Sequence, residues 1–223
     1  MRKSWISFWQ EQSKPLHQFD NEEFYRKHAA ELNVLTGDPA GKSVLDLGCG
    51  DGALFRHLGF NRASRYTGVD FSRGMLDAFR TKEGGLELIE GSAIDIPATG
   101  TFDLVFSNGL VQYMDLSQFT LHLEHSIKKL QPGGAYVCGS LPAKERFLPM
   151  AFGRGTYPAK FSVRSAVKEI GAYVLGRAAL GQWYSLRDIE TCAARAGAVA
   201  SVFGSIYYLY RYHVVFRPAQ SGS

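Results

Sequence analysis

Asp46 lies two residues ahead of the alternating glycines Gly48, Gly50 and Gly52, and Asp70 lies twenty residues beyond Gly50. These are the residues whose types and spacing point most directly to chemistry. Glycines without Cβ atoms let the chain turn sharply and let a ligand lie against bare backbone near a helix N-terminus. A carboxylate at the end of the next strand can accept two hydrogen bonds from a ribose 2′- and 3′-hydroxyl pair. Gly48, Gly50 and Ala53 also satisfy the spacing G-x-G-x-x-G/A, which by itself selects no particular nucleotide. Asp46 discriminates further, because a carboxylate there meets a pyrophosphate with like charge but can accept hydrogen bonds from an ammonium group. Asp70 has a simpler alternative as the N-cap of the following helix, a position for which Ser72 competes.

Strands must end at these residues to position them. Residues 43–47, 66–70, 86–90, 104–107 and 135–139 read as strands, with helical segments over 53–58, 72–81 and 117–130, the last ended by Pro132-Gly133-Gly134. Repeated β-α units of this length predict a parallel sheet covered on both faces. The pattern then changes. A helix over 186–196, capped by Ser185 with Asp188 three residues on, stops at Gly197. The runs 199–207 and 210–216 follow with so little linker that they must form a hairpin, which makes at least one strand antiparallel. Ahead of the first strand, residues 5–35 mix Trp5, Phe8, Trp9, Phe19, Phe24 and Tyr25 with charge, and Phe24, His28 and Leu32 recur at helical spacing. Two short helices are expected there. Their aromatics either pack onto the domain or form a flap with Tyr25 or His28 near the ligand.

A length of 223 residues with 45% apolar and 21% charged residues suits one folded domain with a sizeable core. No apolar run approaches the roughly 20 residues of a membrane span, and no signal-peptide core follows Met1-Arg2-Lys3-Ser4, so a cytoplasmic location is expected. Cys49, Cys138 and Cys192 lack the paired spacing of a zinc site or disulfide framework, and no metal is expected. The net charge of +4 is too modest to imply nucleic acid. Its distribution is uneven: seven basic residues face two acidic ones between 143 and 181. Residues 141–182 read as an insertion with a helix over 161–180. It is either a solvated basic face or a lid favouring an acidic or phosphate-bearing acceptor, or contact with an anionic membrane surface.

Residues 44–52, with Asp46 and the glycines, resemble motif I of the class I S-adenosylmethionine (SAM)-dependent methyltransferases, whose cofactor carries an ammonium and no phosphate. Agreement continues in order through Asp70 and Phe71, the loop 90–97, Phe102-Asp103 and Pro132-Gly133-Gly134. The resemblance implies an α/β, Rossmann-like fold: a doubly wound seven-stranded sheet of order 3-2-1-4-5-7-6 with its last hairpin antiparallel. Residues 41–140 and 183–217 would form the SAM-binding core, 1–40 a helical flap, 141–182 a basic lid and 218–223 a tail. It further implies SAM as cofactor, with Asp46, Gly48, Cys49 and Gly50 at its amino-acid end, Asp70 on the ribose and Phe71 on the adenine. In the adenine loop Ser92 stands where the family commonly has an acid, so the Ser92 hydroxyl or Asp95 would replace that contact, while the Ala93 N–H donates to a ring nitrogen.

Ser107 and Asn108, at the carboxyl edge of the fourth strand, should line the crevice where such sheets bind ligands. The Asp/Asn-Pro-Pro-aromatic signature of adenine and glutamine amino-group methyltransferases is missing here, which argues against those acceptors. At 111–114, where small-molecule members carry histidines, Gln112 cannot act as a base near neutral pH. Tyr113 is the candidate to orient a substrate or relay a proton, with core packing as its alternative. His57, His122 and His125 fall in expected helices and suit packing roles.

The expected activity is direct methyl transfer to a small or lipid-linked, acidic acceptor, with oxygen the favoured atom and no nucleic acid involved. Because the sulfonium already makes the methyl electrophilic, positioning can supply much of the acceleration. An NAD-dependent oxidoreductase and a non-catalytic SAM-fold binding subunit are the alternatives; Asp46 and the closing hairpin argue against the first.

Overall fold

A computed structural model describes residues 22–154, 163–174 and 181–219. Trp5, Phe8, Trp9 and Phe19, and with them the first expected N-terminal helix, lie outside these residues, as do the ends of the 161–180 helix and the tail from 220.

Seven strands form one sheet: β1 (Ser43–Leu47), β2 (Arg65–Asp70), β3 (Glu87–Glu90), β4 (Phe102–Asn108), β5 (Leu130–Pro142), β6 (Ala198–Gly204) and β7 (Arg211–Pro218). Their order is β3-β2-β1-β4-β5-β7-β6, parallel except for β7, which runs antiparallel to both neighbours. This is the doubly wound, Rossmann-like topology expected. Alternation along each strand divides the core in two. Leu45, Val105, Tyr136, Cys138, Val214 and Phe216 bury on one face, while Val44, Leu104, Phe106, Val137 and Val215 bury on the other. Helices α3 (Leu116–Lys128) and α5 (Leu186–Arg195) cover the first face through Phe119, Leu123, Ile189 and Cys192. The second is covered by α1 (Glu22–Thr36) through Ala29 and Leu32, and by α2 (Arg73–Lys82) through Phe79.

The local signals explain most boundaries. Ser72 is the N-cap of α2, accepting from the Met75 N–H at 3.4 Å. Asp115 with Gln118 and Ser185 with Asp188 form reciprocal capping boxes on α3 and α5. Two expectations are corrected. Residues 53–58 are a succession of turns rather than a helix, with Phe55, Leu58 and Phe60 bonding back three, four and five residues in turn. All three side chains are buried in one cluster, and their spacing of three then two cannot be served by a helical stripe. Nor does Pro132-Gly133-Gly134 separate helix from strand. α3 ends at Lys128 and β5 begins at Leu130, so the Pro-Gly run becomes an irregularity inside a thirteen-residue strand. A Cβ at Gly134 would lie 3.0 Å from the Asp103 carbonyl, which is why glycine occupies it.

Between β5 and α5 lie tight helical turns over residues 144–154 and helix α4 (Val163–Val174). Phe147, Ala151 and Trp183 form a third cluster with Ile170, Tyr173 and Tyr210, seating this segment against the start of β7. Among the described residues no helix is long and apolar enough to cross a membrane.

Candidate active site

A cavity of about 570 Å³ opens at the carboxyl edge of the central strands, running from β2 past β1, β4 and β5 to β7. Open α/β sheets bind ligands at this edge because the loops there diverge where the winding reverses. Its β1–β2 end is acidic, with Asp46, Asp51 and Asp70 on the wall. The backbone turns after β1 with Gly48, Gly50 and Gly52 all at positive φ (74°, 55° and 74°), and the Gly48 N–H donates to the Val69 carbonyl at 2.7 Å. The three glycines serve different ends. A Cβ at Gly52 would lie 2.3 Å from the Phe79 ring, whereas one at Gly50 would meet nothing within 4 Å and would occupy open space.

Asp70 closes this loop onto β2. It accepts from the Gly50 N–H at 2.9 Å and the Ser72 N–H at 2.8 Å, and these donors oppose the upward pKa shift caused by its burial. Asp46 is 7% exposed and, among the described residues, accepts one hydrogen bond, from the Tyr66 hydroxyl at 2.8 Å. Burial pushes its pKa up to about 7, Tyr66 lowers it, and the Asp70 charge adds to the rise. No cation among the described residues pairs with Asp46, whereas Asp51 has Lys82 at 2.7 Å. Replacing Tyr66 with Phe should therefore raise the Asp46 pKa further, by up to about one unit for the loss of one such bond. Carboxyl-carbon NMR titration of Asp46 checks this; an unmoved midpoint would count against the role given to Tyr66.

Cys49 lies in the turn as a neutral thiol, since burial together with Asp46 and Asp70 raises its pKa. Phe71 and Met75 continue the wall toward β3. Ser92 and Ala93 do not line the cavity. The Ser92 hydroxyl accepts from the N–H groups of Ile94 and Asp95, turning its own loop, and the Ala93 carbonyl accepts from His122. Ser107 also lies elsewhere: strand alternation sends it to the opposite face of β4, where it bonds the Tyr136 hydroxyl at 2.8 Å, leaving Phe106 and Asn108 on the cavity side.

The other end was only partly legible in the sequence. Asn108 Oδ1 lies 3.1 Å from His28 Nε2, and the Ser140 hydroxyl lies 3.2 Å from the same nitrogen. Gly139 makes this approach feasible, since a Cβ there would lie 2.6 Å from Asn108 Oδ1. Burial pushes the His28 pKa down to about 4, so its imidazole is neutral at pH 7. Phe24 and Tyr25 flank it on α1, and Glu31 ties that helix to the β6–β7 connection through Ser205 and Ile206. Tyr113 lines the cavity from a turn pinned by the Tyr184 hydroxyl, whose single proton is shared between the Val111 and Met114 carbonyls at 2.7 and 2.6 Å.

Sequence reasoning missed Ser140 and Arg211 entirely and dismissed Gln112. Ser140 is the non-glycine residue with positive φ (63°) among those described, at a β-bulge between Cys138 and Leu141. Arg211 begins β7, lines the cavity and donates to Gln112 Oε1 at 3.2 Å. Its only sequence signal was a lone charge within the aromatic run Tyr207-Tyr208-Leu209-Tyr210-Arg211-Tyr212.

Residues 44–134 match a family described as a methyltransferase domain. The chain is 30% identical over 128 residues to a malonyl-[acyl-carrier protein] O-methyltransferase of Enterobacter lignolyticus, covering 57% of this chain and 50% of that protein. It is 33% identical over 153 residues to ribosomal RNA small subunit methyltransferase C of Chromohalobacter salexigens, covering 61% and 44%. The chain thus spans about half the length of the curated relatives it matches. Among solved structures, DesVI of Streptomyces venezuelae superposes with a TM-score of 0.66 at 17% identity, over 89% of this chain and 93% of that one, a likeness of fold.

Proposed function

We propose that this chain, which belongs to the class I SAM-dependent methyltransferases, transfers a methyl group to an oxygen of a small or lipid-linked acceptor. One observation carries the reading. The buried Asp46 carboxylate faces the cavity and is paired with no cation among the described residues, beside a loop whose Gly50 leaves its Cβ direction open. That arrangement fits a ligand that brings its own positive charge. Asp46 would hold the cofactor ammonium, Asp70 the ribose hydroxyls, and Phe71 with Met75 the adenine. When bound, SAM supplies a methyl group made electrophilic by its sulfonium.

The chain's part is then binding and orientation. His28, kept neutral by burial, places no second positive charge beside the cofactor and with Ser140 fixes Asn108. Tyr113 orients the acceptor. Oxygen is favoured because one relative is an O-methyltransferase and because an anionic oxygen needs no base. An RNA acceptor has the ribosomal relative in its favour, but a single arginine among the described residues lining the cavity offers little to a phosphate backbone. Calorimetric titration with SAM, S-adenosylhomocysteine and NADH tests the reading. Saturable binding of the first two is expected; binding of NADH alone, or of none at millimolar concentration, would refute it.

A further inference from the structure

The acidic end of the cavity suits a cationic cofactor, and the opposite end carries a charge that such a cofactor does not use. Arg211 is 8% exposed. Its Nη1 donates to Gln112 Oε1 and to the Ser140 carbonyl, and its guanidinium lies 5.6 and 5.2 Å from the ring centroids of Tyr208 and Tyr210. Among the described residues Nε is buried without a hydrogen-bond partner and no carboxylate pairs with the side chain. A buried cation without a counter-charge is costly, and a free Nε–Nη2 edge has the planar geometry that takes a carboxylate through two parallel hydrogen bonds.

The sheet fixes where that edge lies. Asp46, Asn108, Ser140 and Arg211 sit on β1, β4, β5 and β7, consecutive neighbours, so Asp46 and Arg211 are three strand spacings apart across the sheet, about 14 Å, and Arg211 lies four residues along β7 from Val215, the residue in register with Asp46. Three carboxylates line one end of the cavity, and Arg211 is the only lysine or arginine among the described lining residues. The cavity is therefore polarised, negative where a cationic cofactor would lie and positive beyond Asn108. Ser140 sets the fork: at the bulge its carbonyl fixes Nη1, its N–H donates to His213 Nδ1 at 3.1 Å, and its hydroxyl meets His28. Positive φ at a serine is strained backbone, and such strain persists where the surroundings over-determine it.

We propose that Arg211 binds a carboxylate of the methyl acceptor through its Nε–Nη2 edge, with the acceptor's apolar body seated against Tyr208, Tyr210, Phe24 and Tyr25. This rests on the methyltransferase reading of the same cavity. One guanidinium edge balances one negative charge, which favours a carboxylate over a doubly charged phosphate. The seven basic residues between 143 and 181, the sequence's argument for an acidic acceptor, do not line the cavity where they are described; the charge that does comes from β7.

The test titrates octanoate and benzoate, each against its neutral amide, into wild type, Arg211→Met and Arg211→Lys saturated with S-adenosylhomocysteine, with melting curves confirming that each variant is folded. Wild type should prefer at least one carboxylate over its amide by about tenfold or more. Arg211→Met should lose that preference while S-adenosylhomocysteine affinity stays within about twofold. Arg211→Lys, retaining charge but not the fork, should keep part of it, and this variant decides the matter if the methionine protein does not fold. Equal binding of acid and amide by wild type, a preference that survives in both variants, or loss of S-adenosylhomocysteine binding in folded Arg211→Met would each overturn the proposal. A wild-type chain that selects carboxylates yet ignores S-adenosylhomocysteine would instead sink the methyltransferase reading alone.

Discussion

Asp46→Asn should weaken SAM binding by about 30- to 150-fold, equivalent to about 2–3 kcal/mol for a charge-assisted contact, and should at the same time stabilise the ligand-free protein above neutral pH. The two effects share one cause. Asp46 is buried, its one hydrogen-bond partner among the described residues is the Tyr66 hydroxyl, and burial raises its pKa from 3.8 to about 7. The folded state therefore holds this proton more tightly than the unfolded chain does. Below about pH 4 both states are protonated and nothing is lost. As pH rises from there to about 7 the unfolded chain ionises first, so stability falls, and above pH 7 the folded protein carries the full cost of a buried anion.

The amide in Asp46→Asn keeps an oxygen for Tyr66 and never ionises, so it avoids that cost, worth up to about 4 kcal/mol for a pKa raised from 3.8 to about 7. Ligand binding runs the other way. An ammonium needs the carboxylate, so wild-type affinity should rise with pH up to about 7 and then level, whereas the variant should show no such rise. Calorimetry and thermal melting across this range read both trends. Unchanged SAM affinity in the variant would remove Asp46 from the cofactor site.

Gly52→Ala should destabilise the fold by about 2–4 kcal/mol, while Gly50→Ala should cost only about 1–2 kcal/mol yet weaken SAM binding by about tenfold or more. Both residues have positive φ, so an L-side chain is strained at either. At Gly52 the new Cβ would also lie 2.3 Å from the ring of Phe79, a fully buried side chain with little room to shift. At Gly50 the Cβ enters open space within the cavity, where it competes with ligand rather than with protein. Urea denaturation separates the stability effects and calorimetry the binding effects. Equal destabilisation by the two substitutions, or wild-type SAM affinity in Gly50→Ala, would show that the roles have been misassigned.

The sequence by itself determined the sheet and the acidic glycine turn at one end of the cavity, though not the placing of Ser92, Ala93 and Ser107, which lie off it. Strand alternation, capping pairs such as Ser185 with Asp188, and the glycine turn between Asp46 and Asp70 are local signals written within a few residues of where they act, and the order 3-2-1-4-5-7-6 is the one that the family resemblance of the motifs implied. Burial competing with local preference was less legible. Phe55, Leu58 and Phe60 break the helix expected after the glycines because all three must reach one cluster, and Ser107 turns from the cavity because period two assigns that face to Asn108.

What only the tertiary structure decided is how the other end of the cavity is assembled: Asn108, Tyr113 and His28 were legible as candidates, but their joining to Ser140 and Arg211 was not. His28, Asn108 with Gln112, Ser140 and Arg211 come from four separate stretches of chain, and their contacts span 80 to 112 residues for His28 and 71 to 99 for Arg211. No periodicity or motif links residues so far apart, because parallel strands joined by crossovers bring distant segments side by side at one edge. Among the described residues, the Lys or Arg that lines the cavity is one arginine on the antiparallel strand, set in place by a serine at a bulge.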